Sequence, residues 1–273
     1  MKKRILTPLI LCLCTVLCHA YRQKATIVYS PCMNKNINVT VITPETYRCS
    51  MSYPVIYLLH GYGGDHTVWT KDSIVGRLAD QYNIIVVMPD ASVDSWYFDC
   101  PNDPEYRYET FVAQELVSHV DSAYSTIRDR RGRAITGLSM GGHGSFYLGI
   151  RHQEIFGNMG SMSGGLDIRP FHKNWNIADR LGSYEEHPDI WDRHTVINMT
   201  HLLKSGRMNI IFDCGTEDFF YDVNCSMHKK LLSEKIPHEF HTRPGSHNWS
   251  YWYNAIKYQF LFFSDMFKPD IAM

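Results

Sequence analysis

The chain of 273 residues is long enough for one large domain or two small ones. Hydrophobic residues make up 44% and charged residues 20% of it, a globular composition that excludes disordered and collagen-like classes. The net charge is −1, and the densest cluster of arginines, at 128–133, is typical of a solvated loop. Because no basic face is visible, we predict no nucleic-acid partner.

The first twenty residues have the layout of a secretory signal peptide. Residues 2–4 are Lys-Lys-Arg, residues 5–17 are mostly apolar, and residues 18–20 are Cys-His-Ala, with small residues three and one before the cut. A retained membrane anchor is the alternative, but the apolar run is too short for a spanning helix. We therefore predict cleavage near Ala20, export of the mature protein, and no stable membrane insertion.

Five cysteines lie beyond this segment, and their spacing matches no zinc or redox motif. The odd number leaves at least one of them unpaired within the chain. We predict mostly buried thiols, with one disulfide allowed because an exported protein meets an oxidising environment. The cysteines are Cys32, Cys49, Cys100, Cys214 and Cys225.

The mature chain begins with strands. Residues 25–30 and 37–43 are rich in β-branched residues and flank a polar turn, which predicts an antiparallel hairpin. The short apolar runs PVIYLL (54–59) and IIVVM (84–88) are bounded by glycine or proline. Such runs are typical of strands that are buried on both faces of a parallel sheet.

The rest of the chain alternates strands and helices. We predict strands over 133–138, 159–163, 208–213 and 238–242, and helices over 111–124, 141–151, 223–235 and 248–266. This order predicts an α/β fold over residues 21–273, with a mostly parallel central sheet, an antiparallel N-terminal hairpin and helices on both faces.

Residues 165–206 interrupt this alternation, because they contain no convincing strand. A structureless loop that long is unusual in a compact domain, so we predict a small helical insertion over the carboxyl edge of the sheet, above the active site. Its apolar nucleus is predicted to be Ile177, Leu181, Ile190 and Trp191. Trp175, which is flanked by two asparagines, is instead predicted to face the substrate.

The segment 137–141 reads Gly-Leu-Ser-Met-Gly, a G-x-S-x-G pattern between a predicted strand and a predicted helix. In that context Ser139 would sit on a sharp, strained turn that lifts its hydroxyl above the sheet. Glycines on both sides would prevent collisions with neighbouring chain. A glycine-rich turn with a structural serine is the alternative; we predict that Ser139 is a nucleophile.

A serine hydroxyl needs a base within hydrogen-bond reach, and in this arrangement the acid and then the histidine follow the serine along the chain. Glu217 and Asp218 both follow the strand at 208–213, and spacing alone favours neither as the acid. His247, in the loop after the last strand, is the predicted base. His60 is its rival, although its place at the end of an inner strand is more typical of a structural hydrogen-bonding residue.

Attack by a serine on a carbonyl group also places negative charge on the substrate oxygen, and stabilising that charge requires two aimed N–H groups. Met140, directly after Ser139, should provide one of them. The other should come from the loop His60-Gly61-Tyr62-Gly63-Gly64, where glycines allow close approach to the substrate. Tyr62 N–H is the first candidate and Gly63 N–H the second.

Five segments carry a family resemblance: YLLHGYGGDHTVW (57–69), Ser95-Trp96-Tyr97, TGLSMGGHGS (136–145), DCGTEDFF (213–220) and PGSHNWSYW (244–252). In them the chain resembles the esterase D superfamily of α/β-hydrolases. That group includes S-formylglutathione hydrolases, tributyrin-type esterases, mycolyltransferases, and feruloyl and acetyl-xylan esterases of carbohydrate esterase family one. The resemblance implies Asp218 rather than Glu217 as the acid, Tyr62 as an oxyanion donor, and neither a metal nor an organic cofactor.

The expected activity is that of a secreted serine carboxylic-ester hydrolase with an acyl-enzyme intermediate, acting on carbohydrate esters of acetyl or feruloyl groups. Trp69, Trp96 and Trp175 are predicted substrate contacts because aromatic faces suit sugar and cinnamoyl rings; core packing is the alternative. Rival functions are a general short-chain acyl esterase, an S-formylglutathione hydrolase-like thioesterase, a peptidase, or an inactive carbohydrate-binding homologue. The oligomeric state stays open.

Overall fold

The computed structural model describes residues 21–101, 103–204 and 206–268, so the predicted signal segment lies outside it. Within these residues eight strands form one sheet. They are β1 (Arg22–Ser30), β2 (Lys35–Thr43), β3 (Val55–Leu59), β4 (Ile85–Pro89), β5 (Arg133–Gly137), β6 (Asn158–Met162), β7 (Asn209–Gly215) and β8 (Glu239–Arg243). Their order across the sheet is β1-β2-β4-β3-β5-β6-β7-β8.

The sheet is antiparallel at one edge and parallel elsewhere. Strand β2 pairs antiparallel with both β1 and β4, whereas every pair from β4 through β3 to β8 is parallel. All five residues of β3, β4, β5 and β6 are buried. Burial on both faces accounts for the apolar runs of β3 and β4, whereas β5 and β6 also bury polar residues such as Thr136 and Asn158. The predicted fold class is confirmed.

Helices flank the sheet at α1 (Ile74–Tyr82), α2 (Tyr108–Thr110), α3 (Val117–Ala123), α4 (Met140–Arg151), α5 (Ile177–Leu181), α6 (Pro188–His194), α7 (Tyr221–Ser233) and α8 (Trp249–Met266). A π-helical turn, Phe111–Leu116, joins α2 to α3 within the helix predicted at 111–124. No helix of the described residues has the length and apolar character needed to cross a bilayer.

Helix α1 is absent from the sequence prediction. Gly76 lies inside it, and glycine lowers helix propensity by about 1 kcal/mol relative to alanine. The structure gives the reason for this glycine: a Cβ at position 76 would lie 2.1 Å from Cζ of Tyr21. Close packing of the Tyr21 ring against the helix backbone therefore requires glycine here, and α1 forms despite the low helix propensity of that residue.

Two apolar layers pack against opposite faces of the sheet. Tyr57 and Leu59 of β3 point into one layer, and Ile56 and Leu58 point into the other, as the alternation of a strand requires. Helix α4 contributes Phe146 to the first layer, while α1 and α8 pack on the second. Burial on both faces fixes the register of the central strands, and with it the positions of the loops at their carboxyl ends.

The segment 165–206 contains short helices and no strand in its described residues. Ile177, Leu181 and Trp191 are buried, and Ile190 is partly buried against the same core. The Trp191 indole N–H donates to the Gly182 carbonyl over 3.0 Å. The segment therefore has an apolar nucleus that is continuous with the main core.

All five cysteines of the described residues are free thiols. Cys100 and Cys214 are buried, Cys32 and Cys225 are half-buried, and Cys49 is exposed. The prediction of mostly buried thiols is therefore wrong for Cys49, which lies in an exposed turn. It is only partly right for Cys32 and Cys225, which are half-buried.

Candidate active site

Ser139 stands at a sharp turn between β5 and α4. Its φ of 55° and ψ of −117° are unfavourable for a residue with a side chain. The Ser139 N–H donates to the Met162 carbonyl over 2.9 Å, which ties the turn to the end of β6. This geometry is that of a nucleophile elbow, which presents the hydroxyl at the carboxyl edge of the sheet.

The glycines that flank Ser139 are required by close backbone approach. A Cβ at Gly137 would lie 2.7 Å from the Leu59 carbonyl oxygen and from Gly141, and a Cβ at Gly141 would lie 2.6 Å from the His60 carbonyl oxygen. Real Cβ contacts are essentially never that short. The turn and the end of β3 therefore pack backbone against backbone, which agrees with the prediction that side chains at these two positions would collide with neighbouring chain.

Ser139, His247 and Asp218 form one hydrogen-bonded chain. His247 Nε2 lies 2.9 Å from Ser139 Oγ, and His247 Nδ1 lies 2.8 Å from Asp218 Oδ2. The Asp218 side chain has no exposed surface, and its Oδ1 accepts the Phe220 N–H over 2.8 Å. Both carboxylate oxygens are therefore bonded, which fixes the carboxylate against the imidazole.

Pairing between the loops after β7 and β8 brings the acid to the histidine. The Thr216 N–H donates to the Arg243 carbonyl over 2.9 Å, and the Glu217 N–H donates to the Gly245 carbonyl over 3.0 Å. The Glu217 side chain is exposed, and its carboxylate accepts the Ser246 hydroxyl over 3.3 Å. Of the two acidic candidates, only Asp218 contacts His247.

His60, the rival histidine, lies in a different environment. It is buried, and its Nε2 accepts the Ala91 N–H over 2.9 Å. Nε2 is therefore unprotonated, which leaves Nδ1 to donate to the Gly61 carbonyl over 2.8 Å. Burial lowers the pKa of His60, so the neutral ring is favoured. Both ring nitrogens have structural partners.

The oxyanion candidates lie beside Ser139. Met140 is the first residue of α4, and a Cβ at Gly61 would lie 3.3 Å from Ser139 Cβ, so the loop after β3 borders the nucleophile. The Gly63 N–H already donates to the Val93 carbonyl over 2.8 Å. The hydrogen bonds of the described residues include none from the N–H of Met140 or of Tyr62. These two donors remain the candidates.

Two of the three tryptophans predicted to bind substrate are core residues instead. Trp69 and Trp96 are each 1% exposed. The Trp69 indole N–H donates to the Leu59 carbonyl over 3.3 Å, and the Trp96 indole N–H donates to the Trp175 carbonyl over 3.1 Å. Because both rings are enclosed and both N–H groups are engaged, we do not retain them as substrate contacts.

Trp175 is half-buried and belongs to an aromatic wall beside the histidine. Its ring stacks on Phe219 at 5.4 Å and 26°, and the Phe219 ring centroid lies 4.2 Å from that of His247. Phe219 is 49% exposed, so the wall has a free face. Phe219 was not among the residues predicted from the sequence, although its position directly after Asp218 indicated that it would lie near the catalytic residues.

A second carboxylate, Asp213, lies near the carboxyl end of β7 and is fully buried. The Gln259 side-chain N–H donates to its Oδ2 over 3.1 Å, and Arg243 lies 3.6 Å from its Oδ1. Burial raises the pKa of Asp213 to about 6, against the opposing effect of Arg243. Among the described residues, no group of three or more His, Cys, Asp or Glu side chains could hold a metal ion.

Comparison with known proteins places these features in a family. The Esterase family model matches residues 30–263. An acetyl esterase of Caldicellulosiruptor saccharolyticus is 26% identical over an alignment of 250 residues, and the match covers 82% of this chain and 91% of the relative. A Mycobacterium tuberculosis esterase is 29% identical over an alignment of 263 residues, and the match covers 86% of this chain but only 55% of that longer protein.

Solved structures agree with this assignment. A ferulic acid esterase with 27% sequence identity superposes with a TM-score of 0.79, covering 92% of this chain and all of that one. Because the family model matches most of the chain, the resemblance to the esterase D superfamily is confirmed. The chain belongs to the Esterase family of α/β-hydrolases and is a carboxylic ester hydrolase.

Proposed function

We propose that this protein is an exported serine esterase in which Ser139 is the nucleophile, His247 the general base and Asp218 the acid that orients the base. The observation that carries the proposal is the hydrogen-bonded chain Ser139–His247–Asp218, with the serine at a strained turn. A serine positioned in this way, with its base in place, is suited to nucleophilic attack on an ester carbonyl.

In the first half of the reaction, Ser139 Oγ attacks the ester carbonyl carbon while His247 Nε2 takes the hydroxyl proton. The N–H groups of Met140 and Tyr62 stabilise the resulting oxyanion. The bond to the alcohol oxygen then breaks, and His247 returns the proton to the departing alcohol. In the second half, water attacks the acyl-Ser139 ester in the same way and releases the acid.

We assign acylated carbohydrate, carrying acetyl or feruloyl groups, as the substrate class. The support is the aromatic wall of Trp175 and Phe219, whose free face lies next to His247. Flat aromatic faces suit sugar rings and cinnamoyl groups. An acetyl esterase and a ferulic acid esterase among the similar proteins favour the same two acyl groups.

Export is the remaining part of the proposal, and it rests on the N-terminal sequence alone. The basic residues 2–4, the apolar run 5–17 and the small residues before position 21 are typical of a cleaved signal peptide. N-terminal sequencing of the mature protein recovered from the medium or periplasm tests this, with Tyr21 as the expected first residue.

An ester panel on the purified mature protein tests the activity and its substrate. It contains p-nitrophenyl acetate, p-nitrophenyl butyrate, a feruloyl sugar, acetylated xylan and S-formylglutathione. We expect higher kcat/KM for the carbohydrate esters than for the thioester. The reverse order would favour a thioesterase, while failure of a fluorophosphonate probe to label Ser139 would indicate an inactive carbohydrate-binding homologue.

A further inference from the structure

The loop Ala91–Tyr97, which we call the bracing loop, has an unusual concentration of backbone strain. Ser92, Trp96 and Tyr97 all have left-handed φ values, 60°, 50° and 64°. Such a conformation is unfavourable for a non-glycine residue and persists only where surrounding contacts hold it. Residues of the bracing loop also contact the two segments that carry the oxyanion candidates Tyr62 and Met140.

The bracing loop holds the backbone on both sides of Tyr62. The Tyr97 hydroxyl donates to the His60 carbonyl over 3.0 Å, two residues before Tyr62. The Val93 carbonyl accepts the Gly63 N–H over 2.8 Å, one residue after it. These two contacts anchor the peptide groups on either side of the one that carries the Tyr62 N–H. The Gly61 carbonyl of that peptide group itself accepts from His60 Nδ1 over 2.8 Å and from the Gly64 N–H over 3.0 Å, so the contacts together fix the direction of the Tyr62 N–H.

The ring of Tyr97 also packs on the helix that begins with Met140. A Cβ at Gly144 would lie 2.2 Å from Tyr97 Cδ2, so the ring rests directly on the helix backbone one turn after Met140. Tyr97 is fully buried, and burial raises its pKa, which keeps its hydroxyl protonated and able to donate. One side chain thus contacts both elements that present an oxyanion donor.

We propose that Tyr97 is a positioning residue of the oxyanion hole. Its ring and its hydroxyl set the distance between the N-terminus of α4 and the loop after β3, and so the spacing of the Met140 and Tyr62 N–H groups. The inference rests on the proposed serine mechanism. Since oxyanion donors act most strongly in the transition state, a displaced donor lowers kcat rather than raising KM.

The test compares Tyr97→Phe with Tyr53→Phe as a matched control. Each variant removes one hydroxyl from a buried tyrosine; the Tyr53 hydroxyl donates to the Thr46 carbonyl over 3.0 Å, before β3 and away from the site. Titration of Ser139 with a fluorophosphonate normalises kcat to correctly folded protein. Phenylboronic acid, which forms a tetrahedral adduct with the serine, reports on the oxyanion hole.

For Tyr97→Phe we expect about a tenfold lower kcat on p-nitrophenyl acetate, a KM within about twofold, and about a tenfold weaker phenylboronic acid inhibition. Tyr53→Phe should lower the Tm without changing these constants. Unchanged kcat and boronate affinity in Tyr97→Phe, or equal losses in both variants, would overturn the proposal. An inactive wild type with no boronate binding would instead reject the proposed serine mechanism itself.

Discussion

The imidazole of His247 lies 2.8 Å from the carboxylate of Asp218, while the neighbouring Glu217 points away and bonds Ser246. The backbone around both acids is fixed, because the Glu217 N–H donates to the Gly245 carbonyl and the Asp218 N–H donates to the Gly215 carbonyl; in this arrangement the Glu217 side chain lies in solvent. Two adjacent acids that spacing alone could not distinguish therefore lie in opposite environments, one buried and one exposed.

Asp218→Asn should reduce kcat on the order of 10³-fold or more, because His247 loses the partner that fixes its tautomer and stabilises its charged form. Glu217→Gln should retain more than half of the wild-type rate. Steady-state kinetics on p-nitrophenyl acetate for both variants provide the comparison. A larger loss in Glu217→Gln would move the acid to that residue.

Ser139→Ala should fold normally and lose esterase activity by roughly 10³-fold or more, with a remainder due to the oxyanion hole and substrate binding. The fluorophosphonate label should disappear in the same variant. The Tm should not fall, because alanine keeps the Cβ of Ser139 and therefore the packing around the turn. If the variant kept more than about a tenth of the rate, Ser139 would not be the nucleophile.

Trp175→Ala should raise KM for a feruloyl sugar several-fold, corresponding to about 1 kcal/mol of lost binding. Hydrolysis of p-nitrophenyl acetate should change little, since the wall residue that contacts His247 is Phe219, which this variant retains, and Trp175 lies behind it. The Trp175 carbonyl that accepts the Trp96 indole N–H is retained in this variant. Trp175→Phe should restore most of the affinity, whereas equal losses on both esters with a lowered Tm would make Trp175 structural.

Asp213 should make stability depend on pH. Its folded-state pKa of about 6 lies above the value of 3.8 for an unperturbed aspartate, so the folded state binds the proton more tightly. The resulting stabilisation is fully present below the unfolded pKa and is lost as the pH rises through about 6.

Relative to Asp213→Asn, the wild type should therefore be about 1 kcal/mol more stable at pH 5 than at pH 7.5. Urea unfolding of both proteins at the two pH values measures this difference. A difference between the two proteins that stays constant with pH would show that Asp213 ionises as freely in the folded state as in the unfolded chain.

Several features follow from the sequence alone. The buried strands were predictable because a strand with both faces in the core needs a continuous apolar run, as at PVIYLL and IIVVM. The turn at Ser139 was predictable because backbone crowding at Gly137 and Gly141 excludes any side chain. Both requirements leave a recognisable pattern in a short segment, even though part of the crowding at the turn comes from the end of β3, far away in the sequence.

Other features exist only in the folded molecule. The choice between Glu217 and Asp218 depends on pairing between loops after β7 and β8, which are separated by helix α7 along the chain. The burial of Trp96 and the half-exposure of Trp175 depend on which loops close over each ring. Local sequence determines which residue types can do the chemistry, whereas long-range packing determines which of them face one another.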